Sequence, residues 1–308
     1  MKDLIIHFGI HRTGTTTTQA FLKKNKGILR SHGVLYPSLY GLPDHVKIPW
    51  WIQNNKISIN DLIEKIKSQD EEIIDKIILS AEDFCLLDDF SFLDEFKKHF
   101  NVKVVIYLKE QVSWLESWYN QHIKWPWVKK FSACTPDYFI ANLDDFPWID
   151  YSILLSRLSS YLPASDLSVK RVGKNGVLDT TSDFIQFLDM EVDRFHKFQH
   201  ANESLSATSL EVVRRIDLYD MPPKSRTKVL TAVRGIDNGD KSKHVFTYDQ
   251  CCFIKERYLE SNRQVAAKYF NDTELFLDNS KRQEPITLSD NEVYTTYLPK
   301  LIKKLSEE

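Results

Sequence analysis

The stretch Gly9-Ile10-His11-Arg12-Thr13-Gly14-Thr15-Thr16-Thr17-Thr18 decides the fold. It follows the apolar run Leu4-Ile5-Ile6-His7-Phe8 and opens a helically spaced series, Thr18, Phe21, Leu22, Asn25, Ile28 and Leu29. The order is strand, glycine loop, helix. The first N–H groups of a helix have no partner inside it, and its dipole places partial positive charge there. Glycine lets the backbone curl closely around an anion. The loop is therefore suited to phosphate or sulfate. Consecutive threonines are poor helix formers, so helix propensity does not account for them.

Working outward, strand signals recur at Gly33-Val34-Leu35-Tyr36-Pro37, Lys76-Ile77-Ile78-Leu79-Ser80, Val102 to Leu108 and Leu167 to Val172. Helical patterns near 59–71, 90–100, 110–124 and 151–162 fall between them. This alternation predicts an α/β fold, a P-loop-type doubly wound parallel sheet flanked by helices. In such sheets ligands collect at the carboxyl ends of the strands, where Gly9, Glu82 and Lys109 fall. Helices near 179–189, 207–219, 224–234, 248–270 and 289–306 make the last third mostly helical. Within it, His200 to Ser206 reads as a capping segment and Asp237-Asn238-Gly239-Asp240 as a turn. Residues 38–58, with Asp44, His45, Trp50 and Trp51, read as an irregular excursion, and 125–150 reads as an aromatic loop. We expect one domain over 1–308, with residues 1–172 as the sheet core and 173–308 as a mainly helical cover.

The chain has 308 residues, 42% hydrophobic content and a formal net charge of −2 with both signs interspersed. That balance argues against a broad nucleic-acid or membrane footprint, so any anion-binding cations must be local. No apolar run approaches the roughly 18 residues a bilayer span needs. We expect a soluble, cytoplasmic protein with no membrane insertion; nothing in the pattern specifies its oligomeric state. The four cysteines, Cys85, Cys134, Cys251 and Cys252, lack paired metal spacing and read as reduced, apolar fillers. No metal is expected.

The spacing from Gly9 to Gly14 fits the start of G-x-x-x-x-G-K-[ST], but Thr15 stands where the lysine should be, and the cation is Arg12 instead. This makes magnesium-assisted triphosphate chemistry less suited to the loop. Gly-x-x-Arg-Thr-Gly-Thr-Thr resembles the 5′-phosphosulfate loop of sulfotransferases, and His-x-Gly-x-His-x-Thr-Gly-Thr-Thr resembles their bacterial branch. The family's second signature is a basic residue at a strand end with a serine eight positions later, a pattern that Lys109, Ser117 and the following Tyr119 match. Further similarity lies at Gly33 to Pro37, Trp118-Tyr119-Asn120-Gln121-His122, Asn202-Glu203-Ser204-Leu205-Ser206 and Glu260-Ser261-Asn262-Arg263. Departures are Lys109 for the usual Arg, which loses bidentate geometry, Gln111 for Pro, and Ser80 for a second Lys.

The resemblance implies transfer of a sulfonyl group from 3′-phosphoadenosine-5′-phosphosulfate (PAPS) to an acceptor hydroxyl or amine. It places Arg12, Thr13, Gly14, Thr15, Thr16 and Thr17 around the 5′-phosphosulfate, with Lys109 and Ser117 at the 3′-phosphate. Such chemistry needs donors for charge on the leaving phosphate, a base, and in-line positioning. Base candidates are Glu82, His11, His45 and His122. Glu82 ranks first because it follows a strand where related enzymes place a catalytic His or Glu; its competing role is that of a first-turn helix carboxylate. His45 ranks next as a catalytic candidate. The partner is expected to be a small-molecule or glycan acceptor, and tryptophans at 50, 51, 125, 127 and 148 in expected loops lean it towards a glycan or glycolipid over a small phenol. Two other readings are a P-loop small-molecule kinase and a non-catalytic PAPS-binding module.

Overall fold

The computed structural model describes residues 1–196, 204–237, 239–277 and 284–307. The chain runs β1 (Asp3–Phe8), α1 (Thr15–Lys24), α2 (Lys26–Ser31), β2 (Val34–Leu35), α3 (Ile48–Gln53), α4 (Ile59–Lys67), β3 (Lys76–Ala81), α5 (Phe92–Lys97), β4 (Asn101–Lys109) and α6 (Gln111–Lys124). It continues through α7 (Pro136–Ala141), α8 (Tyr151–Ser159), β5 (Leu167–Val172), α9 (Thr180–Phe187), α10 (Ala207–Ile216), α11 (Pro223–Val233), α12 (Tyr248–Val265), α13 (Asp290–Glu292) and α14 (Leu298–Glu307). The five strands form one all-parallel sheet in the order β2-β3-β1-β4-β5. The α/β class, the flanking helices and the helical last third stand as expected. No helix among the described residues is long and apolar enough to cross a membrane.

The chain divides into two compact units. The first, Met1–Glu110, Pro147–Ala201 and Leu259–Leu277, contains the whole sheet. Side chains alternate along β1, so Ile5 and His7 face one side of the sheet and Phe8 the other. On the first side Ile5 joins Phe21, Leu22, Leu29, Val105, Tyr107, Phe184 and Ile185 in one buried cluster under α1, α2 and α9. On the other, the Phe8 ring lies 5.3 Å from Phe84 and 5.5 Å from Phe90. Burial on both faces explains why β1, β3 and β4 read as nearly continuous apolar runs. Register sets Phe8 beside Ala81 of β3 and Ile106 of β4, which brings the loops after these strands to one end of the sheet.

The second unit comprises Gln111–Phe146, Asn202–Tyr258 and Asp278–Glu308. Its α6 buries Trp114, Trp118, Tyr119 and His122. The His122 ring is surrounded by Trp118, Trp127, Phe131, Phe139 and Phe146. Asn120 accepts from the Leu205 N–H and donates to the Leu205 carbonyl.

Several local expectations need correction. Residues 38–58 are not wholly irregular: α3 carries Trp50 and Trp51, with Pro49 in its first turn. The aromatic stretch 125–150 contains α7, capped by Thr135, whose hydroxyl accepts from the Tyr138 N–H. Both helices have six residues and lie among prolines and aromatics that mask a 3.6-residue period. The first helix breaks at Asn25, whose buried side chain donates to the Phe21 carbonyl at 2.9 Å, a local bond that competes with helix continuation. Cys252 is exposed and so is no core filler, whereas Cys85 and Cys251 are buried. Ser206 caps α10 by accepting from the Ser209 N–H. His200 to Glu203 of the expected capping segment, and Asn238 of the turn, lie outside the described residues.

Candidate functional site

The loop after β1 is shaped by two unusual backbone angles, φ 67° at Arg12 and φ 91° at Gly14. Gly14 is the N-cap of α1 and offers no side chain to its first turn. Its carbonyl accepts from the N–H groups of Thr17 and Thr18 at 3.0 and 3.2 Å. Among the described residues, no backbone carbonyl accepts from the N–H groups of Thr13, Gly14, Thr15 or Thr16. Four consecutive donors therefore meet the positive end of the α1 dipole, an arrangement suited to an anion. Thr13 closes the loop by donating its hydroxyl to the Ile10 carbonyl at 2.6 Å. A Cβ on Gly14 would run into Thr180 Oγ1, and one on Gly9 into Thr15 Cγ2, so both glycines permit close approach.

Glu82 begins a 3-10 turn, Glu82–Leu86, immediately after β3. It thus occupies the first-turn position its competing role requires, yet its carboxylate reaches the loop. Thr15 donates its hydroxyl to Glu82 Oε2. His11 Nδ1 stands 3.5 Å from Glu82 Oε1, while His11 Nε2 is 2.7 Å from Asp83 Oδ1. Asp83 Oδ2 accepts the Trp50 indole N–H at 2.6 Å. Burial opposes protonation of His11, but the Asp83 hydrogen bond and the charges of Glu82 and Asp83 outweigh it. Its pKa stands above the ordinary value, with Arg12 opposing the rise. Burial holds the Arg12 guanidinium pKa below its ordinary value, and the Glu82 charge offsets only part of that.

Lys109 ends β4, and its ammonium lies 3.4 Å from the Arg12 carbonyl, against the same loop. Tyr151 braces that strand end by donating to the Lys109 carbonyl at 2.5 Å. The first unit thereby brings together Arg12, Thr13, Gly14, Thr15, Thr16, Thr17, Glu82 and Lys109. Ser117 is half-buried on α6 in the second unit, and its place in the reading rests on sequence spacing alone.

His45 is buried in the first unit. Its Nδ1 accepts from the Ser80 N–H at 3.2 Å, and its Nε2 donates to the Pro37 carbonyl at 2.8 Å. With both nitrogens engaged and burial lowering its pKa to about 4, it ties the 38–58 segment to β3. His7, equally buried, bonds Ser80 Oγ at 2.8 Å, and burial also lowers its pKa to about 4. Trp51 lies edge-on to Tyr40, away from the Trp50 bond to Asp83.

The sequence reading missed Asp83 and Thr180 as parts of this site and did not tie Trp50 to it. Asp83 had a signal in its position next to Glu82 at a strand end. The contact between Thr180 and Gly14 had none, because residues far apart in sequence make it.

Among known proteins, no family model matches the chain. An uncharacterized protein of Archaeoglobus fulgidus is 29% identical over 214 residues, covering 65% of this chain and 55% of that protein. The chain thus spans about half the length of that relative.

Proposed function

We propose that the chain transfers a sulfonyl group from PAPS to a hydroxyl or amine, with a carbohydrate-like acceptor the favoured class. The observation that carries this reading is a convergence at one sheet end. Four N–H donors, Arg12 and Lys109 surround the loop, and the Glu82 carboxylate is hydrogen-bonded to the loop's own Thr15. The donor set suits a phosphosulfate: backbone N–H groups and a guanidinium can take charge as it builds on the departing phosphate.

In the proposed step the acceptor oxygen or nitrogen attacks sulfur in line as Glu82 takes its proton. The bond between sulfur and the bridging oxygen breaks. Its electron pair remains on the 5′-phosphate of adenosine 3′,5′-bisphosphate, facing Arg12 and the loop N–H groups. Lys109 is the cation assigned to the 3′-phosphate. Its position against the Arg12 carbonyl also lets it share the load at the 5′ side, where Ser80 stands in place of the second lysine that cytosolic small-molecule sulfotransferases commonly carry. The buried Ser80 bonds His7, so it supplies no cation there.

Calorimetric binding tests the donor assignment. Adenosine 3′,5′-bisphosphate without magnesium should bind, and ATP with magnesium should not compete. The reverse result would favour a kinase. Radiolabelled-sulfate transfer from PAPS into a lysate of the source organism then identifies the acceptor. Nucleotide binding without transfer across a broad acceptor panel would favour the non-catalytic binding module.

A further inference from the structure

His11 sits between two carboxylates, with Nε2 2.7 Å from Asp83 Oδ1 and Nδ1 3.5 Å from Glu82 Oε1. Ionised carboxylates only accept hydrogen bonds, and a neutral imidazole donates from one nitrogen while the other offers a lone pair. A neutral ring would therefore set a lone pair against one carboxylate. Only the imidazolium can donate to Asp83 and also present positive charge to Glu82 across the 3.5 Å ion pair.

The outer oxygens of the two carboxylates are held as well. Trp50, whose indole can only donate, bonds Asp83 Oδ2 at 2.6 Å, and the Thr15 hydroxyl bonds Glu82 Oε2. A single chain of contacts thus runs from Trp50 on α3 through Asp83, His11 and Glu82 to Thr15 at the start of α1.

We propose that His11 is an imidazolium clamp, a positioning residue that fixes the Glu82 carboxylate through one ring nitrogen while Asp83, itself held by Trp50, fixes the ring through the other. The proposal rests on the reading of Glu82 as the base. The charged groups facing the ring are Glu82 and Asp83 from the turn after β3 and Arg12 from its own loop. Burial and Arg12 work against the cation, and the carboxylates and the Asp83 bond outweigh them. Trp50 and Asp83 act on Glu82 only through the His11 ring, and the Thr15 hydroxyl holds Glu82 Oε2 directly. Their effect on rate is through orientation, where a shift of about 1 Å in a catalytic group costs on the order of 100-fold.

The test is an NMR titration of the full chain labelled at histidine, with the His11 signal assigned by its loss in His11→Gln. The ring should titrate above the ordinary value of about 6.5, and Asp83→Asn should lower the midpoint. If His11→Gln does not fold, the signal displaced by Asp83→Asn supplies the assignment. With an acceptor found by labelled-sulfate transfer, Asp83→Asn should lower kcat by roughly 10- to 100-fold and leave adenosine 3′,5′-bisphosphate affinity unchanged. A wild-type midpoint at or below about 6.5, or one that Asp83→Asn leaves in place, overturns the clamp. Failure of the sulfotransferase reading shows separately, as absence of bisphosphate binding by the wild-type chain. In that case the His11 midpoint still decides whether the clamp exists, and the positioning role falls.

Discussion

Glu82 is where two single-residue roles meet, since it opens a 3-10 turn and also accepts from Thr15. Glu82→Gln separates them, because it keeps the shape and removes the proton acceptor. As a base, Glu82 should be worth about 100- to 10,000-fold in turnover, with donor affinity intact. As a first-turn carboxylate alone it should be worth about 0.3–1 kcal/mol of stability, with the rate preserved. Turnover and melting temperature measured on one preparation decide. Arg12→Ala should lower turnover by about 100-fold or more with a smaller loss of bisphosphate affinity, because its charge matters most as the bridging oxygen becomes negative. An unchanged rate would remove Arg12 from the leaving-group side. Lys109→Ala should weaken PAPS binding by about 1.5–3 kcal/mol. Comparison with adenosine 5′-phosphosulfate then tells the 3′ contact from the loop contact. Glu82 and Lys109 were readable as candidates because each stands at or next to a strand end, and Arg12 because it is the cation within the glycine loop after β1. The bond from Trp50 to Asp83 was not, because it crosses 33 residues of chain.

At the scale of elements, the loop and α1 act as one piece held by the absence of a side chain at Gly9. Gly9→Ala would push a methyl group into Thr15 Cγ2 and displace the hydroxyl that bonds Glu82. Overpacking of this kind costs about 1–3 kcal/mol, and here bisphosphate affinity should fall with it. Ser58→Ala provides the contrast. Ser58 caps α4 by accepting from the Asp61 N–H at 3.0 Å, so its loss should cost about 1 kcal/mol with no change in nucleotide binding. Denaturant melts and calorimetry on both variants check the pair. The apolar runs made β3 and β4 readable from the sequence. Neither α3 nor α7 was readable, since six residues cannot establish a helical period against a background of prolines and aromatics.

For the whole molecule, acid is the condition that should expose what burial has done. His7 and His45 are buried neutral, with their pKa lowered to about 4, whereas in the unfolded chain they titrate near about 6.5. Between these values the unfolded state binds more protons. Stability should therefore fall as pH drops from about 6.5 towards 4, by up to roughly 1.4 kcal/mol per pH unit for each ring. His11 acts in the opposite sense: its raised pKa stabilises the fold fully below the unfolded value, and the contribution is lost as pH rises through the folded value. Urea midpoints across this range should show the acid loss, and His45→Gln should flatten it. A wild-type midpoint constant down to pH ~4.5 would contradict the burial argument. The sequence by itself determined the parallel α/β sheet and the glycine loop between β1 and α1 at its carboxyl end, because apolar runs, glycines and helix starts are local signals that the chain reads out in order. Only the tertiary structure decided that Trp50, Asp83, His11 and Glu82 share one chain of contacts, and that His45 is consumed by the core. Those outcomes depend on register between strands and on bonds such as that from His11 to Asp83, which spans 72 residues and leaves no periodic trace.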